Sequence, residues 1–372
     1  MINRILSQLG ELNNNEIREL SAGLGQFGDI NLIDGFSNKG IRFSRVALIE
    51  GAIVGNRYDL VEKYMPRRLP LGVLFFYLQL SVNHDDISNY LFNYLGSLGY
   101  QLTPFQLEIL LNKAARLGKI NVIKRLIKQG PDEFAIGTAI GYAGVNKHFH
   151  IVDYLLTTQL VTPKALTQAL FIAAVHNDSE FISWLQQHGA NDINAIAYGA
   201  AQSGNLNLLL KALNEGATIE PKLFIIAAKW RHLNILKYLA EFFDQETFNQ
   251  ALIAAAQNLT SAGKNNIIPY LISIGANNLE VALIWTAKDA SSNIDQLLPL
   301  LSSDQLIDII NRLIIINLTE NPDPVYIKLI LNYANNHAAL DFDYVLDIIR
   351  NTTQLRRRQQ QNLVDYLLSL RY

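Results

Sequence analysis

The feature that most constrains what this chain can fold into is a run of self-similar units. Ala114-Ala115-Arg116-Leu117-Gly118 precedes the apolar stretch 122–127 and Gly130. Ala173-Ala174-Val175-His176-Asn177 leads into Phe181-Ile182-Ser183-Trp184-Leu185 and ends at Gly189-Ala190. Ala200-Ala201-Gln202-Ser203-Gly204 is followed by 208–213 and Gly216-Ala217, and Ala227-Ala228-Lys229-Trp230-Arg231 by Ile235-Leu236-Lys237-Tyr238-Leu239. With the residue equivalent to Gly118 as anchor, copies fall at Asn56, Asn83, Gly118, Lys147, Asn177, Gly204, Arg231, Gly263 and Ala290, at intervals of 27 to 35 residues. A near-constant period of this size marks a stacked array, because one such unit cannot bury both of its apolar faces alone.

Each copy reads as two helices. The first carries the small Ala pair, which lets neighbouring helices approach closely. A short turn follows and favours Gly or Asn, because one backbone position there needs a positive φ. The second helix is apolar at i, i+1, i+4 and i+5, as in Val122, Ile123, Leu126 and Ile127, which makes a core-facing stripe. Gly130, Gly189, Gly216 and Gly275 then end it as the residue after the cap. From Gly189 to Ala200, and from Gly216 to Ala227, there are 11 positions, too few for a projecting β-hairpin as well as a helix start.

The expected fold is therefore all-α: a helical repeat solenoid of about nine helix-turn-helix units over 43–302, with β-hairpin fingers short or missing. Residues 1–42 predict an N-terminal cap with one helix over 2–9, another around 16–24, and a Gly-rich stretch through Gly40. From Ser303 the Ala pairs vanish, and helices are expected over 304–318, 324–335, 342–350 and 358–370. Degenerate terminal units are the usual way to close an array, so 303–372 reads as a C-terminal helical cap, large enough to carry a role of its own.

These residues resemble the ankyrin repeat, in which an Ala-Ala, a Gly-His-type turn, a Val-Val or Leu-Leu helix and a Gly-Ala close each copy. Two departures stand out. The Thr-Pro-Leu-His tetrapeptide that opens ankyrin helices is absent, its place before Ala227 being taken by Lys222-Leu223-Phe224-Ile225-Ile226. The common 27-residue interval is also shorter than the usual ~33. The resemblance implies a scaffold that binds a protein partner on the concave face of the solenoid, with no cofactor. Cys-free, Asn- and Ile-rich arrays of this kind are also similar to those that intracellular bacteria and large DNA viruses deploy against host proteins. That similarity implies an effector that works in the cytoplasm, after delivery into a host cell.

Composition narrows the partners. The formal net charge is -2, which gives no global attraction to nucleic acid or to an anionic membrane. There is no cysteine, so disulfides, thiolate chemistry and cysteine-based zinc sites are excluded. The longest apolar run, 69–82, falls short of the ~20 residues a membrane span needs, and the first residues lack a signal-peptide core. The expectation is a cytoplasmic monomer. Arg356-Arg357-Arg358 reads as a solvated helix start, with a docking patch for an acidic partner or a phospholipid surface as the alternative.

His84, His148 and His232 each follow an anchor and are expected to be turn histidines that bond to backbone. His148-x-His150 has no carboxylate neighbour in sequence, so no metal site is expected. Tyr90, Tyr154, Trp184, Tyr238 and Tyr270 recur at the seventh residue after the anchor; one recurring position implies one structural job, packing between repeats. Positions three and four of the Ala-Ala-x-x-Gly stretch vary instead: Arg116-Leu117, Val145-Asn146, Val175-His176, Gln202-Ser203, Lys229-Trp230, Gln257-Asn258 and Lys288-Asp289. Variable polar and aromatic residues on a fixed frame are what a recognition surface looks like. The candidate partner-binding set is Arg116, Asn146, His176, Gln202, Lys229, Trp230, Arg231 and Lys288, with Trp230 beside Arg231 as the main anchor. No P-loop, HExxH, GxSxG or kinase set is present, and no catalytic residue is expected. The rival reading is a helical-solenoid enzyme with its site in the groove or at the junction with the C-terminal cap.

Overall fold

The computed structural model describes residues 13–38, 43–257, 267–289, 294–320, 322–337, 341–352 and 354–370. Among these residues all regular structure is helical and no strand occurs. The helix expected over 2–9 and the anchors Gly263 and Ala290 lie outside them. The chain forms two compact units, one of Met1–Ala173 with Asp178–Asp192, the other of Ala174–Asn177 with Ile193–Tyr372.

In the first unit the helices come in sequential pairs: Arg45–Val54 with Tyr58–Tyr64, Leu71–Ser81 with Asp85–Ser97, Pro104–Arg116 with Ile120–Ile127, and Glu133–Val145 with Phe149–Leu156. First helices pack on first helices of the next pair, and second helices on second helices. In the second unit Ile193–Ser203, Pro221–Lys229, Gln245–Gln257, Leu279–Asp289 and Ser303–Glu320 follow one another in the same way. The alternation continues beyond residue 302, where Ser303–Glu320 meets Phe342–Asn351 and Pro324–Asn336 meets Arg357–Ser369. These sequential contacts fit a helical repeat arrangement.

Turn chemistry explains why the pairs form. Asn56, Gly118, Lys147, Asn177, Gly204 and Arg231 all have positive φ, between +54° and +77°. At Asn56, Gly118, Lys147, Asn177 and Arg231 the anchor N–H bonds three residues back, and the next N–H bonds five residues back. The latter bonds include Lys119 N–H to Ala114 O (2.9 Å), Asp178 N–H to Ala173 O (3.0 Å) and His232 N–H to Ala227 O (2.9 Å). This is a Schellman closure, and the first Ala of each pair supplies its acceptor. Second helices end alike, with Gly189, Gly216 and Gly275 at positive φ, each followed by an alanine whose N–H bonds five residues back. Gly130 also has positive φ, but Pro131 follows it and has no N–H to give.

One expectation needs correcting. Asn83 does not adopt positive φ. Here the His84 N–H bonds three residues back to Ser81 O (2.7 Å), and side chains also reach the carbonyls: Ser88 Oγ donates to Ser81 O (2.6 Å), Lys113 Nζ to Gln79 O (2.6 Å) and Lys119 Nζ to Asn83 O (3.2 Å). With its acceptors occupied, that end does not need the left-handed residue. Within the Gly-rich stretch before Gly40, Ile30–Asn38 is a helix. Asp29 Oδ1 accepts the N–H groups of Asn31 and Leu32, Ile33 is buried, and Asp34 accepts a hydrogen bond from Tyr64 Oη (2.7 Å). Tertiary contact outweighs the low helix propensity of this segment.

The small residues act through close backbone approach. A Cβ on Gly25 would lie 2.0 Å from Leu48 O, and one on Gly51 1.9 Å from Ala22 O, so helices Asn14–Phe27 and Arg45–Val54 touch backbone to backbone. The stripe Gly137, Gly141 and Gly144 does the same for Glu133–Val145, where added Cβ atoms would meet Ala165 O at 2.3 Å, Ile172 at 2.7 Å and the Phe181 ring at 1.9 Å.

Candidate recognition surface

At the anchors Asn56, Asn83, Gly118, Lys147, Asn177, Gly204 and Arg231 the next residue is the N-cap of the second helix, and four of these N-caps show two distinct bonding patterns. Asp178 and Asn205 cap their own helices, Asp178 Oδ1 accepting from Phe181 N–H (3.0 Å) and Asn205 Oδ1 from Leu208 N–H (3.0 Å). Each also reaches the anchor side chain of the previous repeat. Lys147 Nζ pairs with Asp178 Oδ2 at 2.7 Å, and Asn205 Nδ2 donates to Asn177 Oδ1 at 2.7 Å.

His148 and His232 make no cap bond to their own helices. They turn back instead: His148 Nε2 donates to Arg116 O (3.1 Å) and His232 Nε2 to Gln202 O (2.8 Å), two orphan carbonyls at the ends of first helices. A carbonyl can only accept, so Nε2 carries the proton in both. The rings lie against Gly118 and Gly204, leaving no room there for a side chain. Glycine anchors thus go with a following histidine at these two turns, and side-chain anchors with a following Asp at Asp178. The expected backbone role holds for His148 and His232. Burial, with Lys119 nearby, holds His84 below its ordinary imidazole range.

The recurring aromatics are half-buried and make contacts between repeats at three positions. Tyr90 meets Tyr58 at 5.8 Å between centroids, Tyr154 lies under Lys124 Nζ at 5.5 Å, and Trp184 contacts Phe149 at 6.2 Å and stacks on His188 at 3.7 Å. Tyr238 contacts Phe242 of its own segment.

Of the candidate partner-binding residues, Arg116 and Asn146 belong to the first unit, and both converge on Tyr142. The Arg116 guanidinium sits 3.6 Å over the Tyr142 ring, and Asn146 Nδ2 donates to Tyr142 O at 2.8 Å. Both remain exposed. In the second unit His176, Lys229 and Trp230 are exposed, while Gln202 and Arg231 are half-buried. Trp230 is 43% exposed although its N–H is held by Ile226 O (3.0 Å) and Arg231 follows at φ +65°. A large indole is thereby presented on a fixed backbone. Burial lowers the Arg231 guanidinium from its ordinary value. Lys288 lies on Leu279–Asp289, and its side chain is outside the described residues, as is Asn258. Among the described residues no group of three His, Asp or Glu side chains could hold a metal ion, and no helix is long and apolar enough to cross a membrane.

Sequence reasoning missed Tyr142 as the platform for Arg116. The pair is separated by 26 positions, beyond the reach of a local pattern. It also missed the exposed aromatics Phe105 and Phe134, each the second residue of a first helix, and Trp285. No protein-family model matches the chain, and no curated protein matches it in sequence.

Proposed function

We propose that this chain is a divergent ankyrin-like repeat protein that binds a protein partner through residues at the C-terminal ends of its first helices. Helix pairs, left-handed turn residues and glycine-closed second helices support the ankyrin-like reading. The observation that carries the binding reading is the corner Lys229-Trp230-Arg231. An exposed tryptophan flanked by two basic residues stands on a backbone locked by the Schellman closure, so little conformational freedom is lost when it is covered. Gln202 and His176 extend this set in the second unit; Arg116 and Asn146 form a smaller, pre-packed set in the first. The complement is an acidic or polar protein surface with a pocket for the indole. On the effector reading that surface belongs to a host protein.

The test is capture from eukaryotic cell lysate with the wild-type chain beside Trp230→Ala and Lys229→Glu, each shown by circular dichroism to be folded. A specific partner is expected with wild type and lost with both variants. Equal recovery by the folded variants would place recognition elsewhere on the molecule.

A further inference from the structure

The second helices of the first unit hold a cleft that the proposed recognition surface does not use. Tyr58, Asp86, Asn89, Tyr90 and Asn93 line a cavity of about 420 Å³ between Tyr58–Tyr64 and Asp85–Ser97. The Tyr58 and Tyr90 rings stand at 85° to each other with centroids 5.8 Å apart, and Tyr94 lies parallel to Tyr90 at 6.5 Å. Tyr58 Oη donates to Glu62 Oε1 at 3.2 Å. At the far end Arg125 Nη1 donates to Asn93 Oδ1 at 3.0 Å and orients that amide.

An equivalent place in the same unit shows what such a ring accepts. Tyr154, the sixth residue of Phe149–Leu156, has Lys124 Nζ 5.5 Å from its centroid, and Lys124 is the fifth residue of the preceding second helix, Ile120–Ile127. In the cleft, Tyr90 is the sixth residue of its helix, and the fifth residue of the preceding second helix is Glu62. One copy carries an ammonium at this helix position, over the ring; the other carries a carboxylate at the same position. Burial first, and then Glu62, raise both phenols above their ordinary values, with Asp86 contributing at Tyr58.

The geometry points to a binding site for a quaternary ammonium group in this cleft, against the Tyr58–Tyr90 ring pair and beside the Asp86 carboxylate, with Glu62 held by Tyr58 Oη outside the lining. A cation within ~6 Å of a tyrosine ring is attracted by the ring quadrupole, and aromatic walls with nearby negative charge suit quaternary ammonium groups. Such a group is weakly hydrated and needs no ring of hydrogen-bond acceptors. The cavity has room for a choline-sized molecule or for a trimethylated lysine side chain.

The experiment follows the Tyr58 and Tyr90 ring resonances of the full chain by NMR during titration with choline, and separately with a short trimethyllysine peptide. The neutral isostere 3,3-dimethylbutan-1-ol is the control. Saturable binding is expected, with a Kd on the order of 1 mM for the isolated headgroup. The isostere should bind about tenfold more weakly, because it lacks the charge. Tighter binding of choline would assign the site to a free small molecule, and tighter binding of the peptide to a modified chain. Glu62 is exposed, so Glu62→Lys can be made without touching the core, and it installs the ammonium that Lys124 supplies in the other copy. It should abolish binding while leaving the thermal unfolding temperature unchanged. No saturable shift with either ligand, equal binding of the isostere, or undiminished binding by folded Glu62→Lys would each overturn the assignment.

Discussion

Three glycines allow the histidine stitch to be separated from backbone strain. Gly130, Gly118 and Gly204 share one conformation, with φ of +70°, +72° and +77°. They differ in what an added methyl would meet: nothing within 4 Å at Gly130, the His148 Cε1 at 2.8 Å at Gly118, and the His232 Nδ1 at 2.3 Å at Gly204. Forcing alanine into the left-handed region costs about 1–2 kcal/mol. The stiffer unfolded chain offsets about 0.4–1 kcal/mol of this. Gly130→Ala should therefore destabilise by about 1 kcal/mol. At Gly204 the His232 ring must also leave and give up its bond to Gln202 O, which adds about 1 kcal/mol. Gly118→Ala should fall between, since a small ring shift relieves its contact. Urea titrations with unchanged m-values give the three costs. In a His232→Ala background the extra penalty at Gly204 should vanish, a coupling of about 1 kcal/mol. If Gly204→Ala costs no more than Gly130→Ala, or if the cycle is additive, the histidine is not held as described.

Three further outcomes follow from the structure. Gly51→Ala should destabilise by about 3 kcal/mol, because its Cβ would lie against the Ala22 carbonyl and push the helices Asn14–Phe27 and Arg45–Val54 away from each other; a urea midpoint equal to wild type would contradict that contact. His84 is held below its ordinary 6.5 by burial and by Lys119, so the folded state favours the neutral ring. Its contribution is fully present above pH ~6.5 and is lost as pH falls from there through the lower folded value. The His84 ring proton should titrate below 6.5 by NMR, and His84→Gln should flatten the fall in stability below that pH; a midpoint at or above 6.5 would refute this. Arg356, Arg357 and Arg358 are exposed at the N-terminal end of Arg357–Ser369, where the helix dipole disfavours cations. Arg357→Glu should stabilise by about 0.3–1 kcal/mol in low salt, and a loss of stability on thermal unfolding would show that Arg357 has an attractive role there.

What the sequence determined by itself is whatever closes within about six residues. The turn residues Gly118, Lys147, Asn177, Gly204 and Arg231, the caps Gly189, Gly216 and Gly275, and helices such as Pro324–Asn336 and Phe342–Asn351 were legible because their hydrogen bonds run three to five positions along the chain. The missing fingers were legible for a similar reason, since 11 positions leave no length for them. Only the tertiary structure decided the rest. Asn83 escapes the left-handed turn because Lys113 and Lys119, one repeat on, take the carbonyls at that end. The segment Ile30–Asn38 is helical because Ile33 is buried and Asp34 meets Tyr64. Whether an N-cap holds its own helix or the previous turn depends on a residue about one repeat away. The same is true of whether an aromatic ring meets Lys124 or Tyr58. Stacking sets those neighbours, and a repeat period of 27 to 35 residues lies beyond the reach of any local pattern.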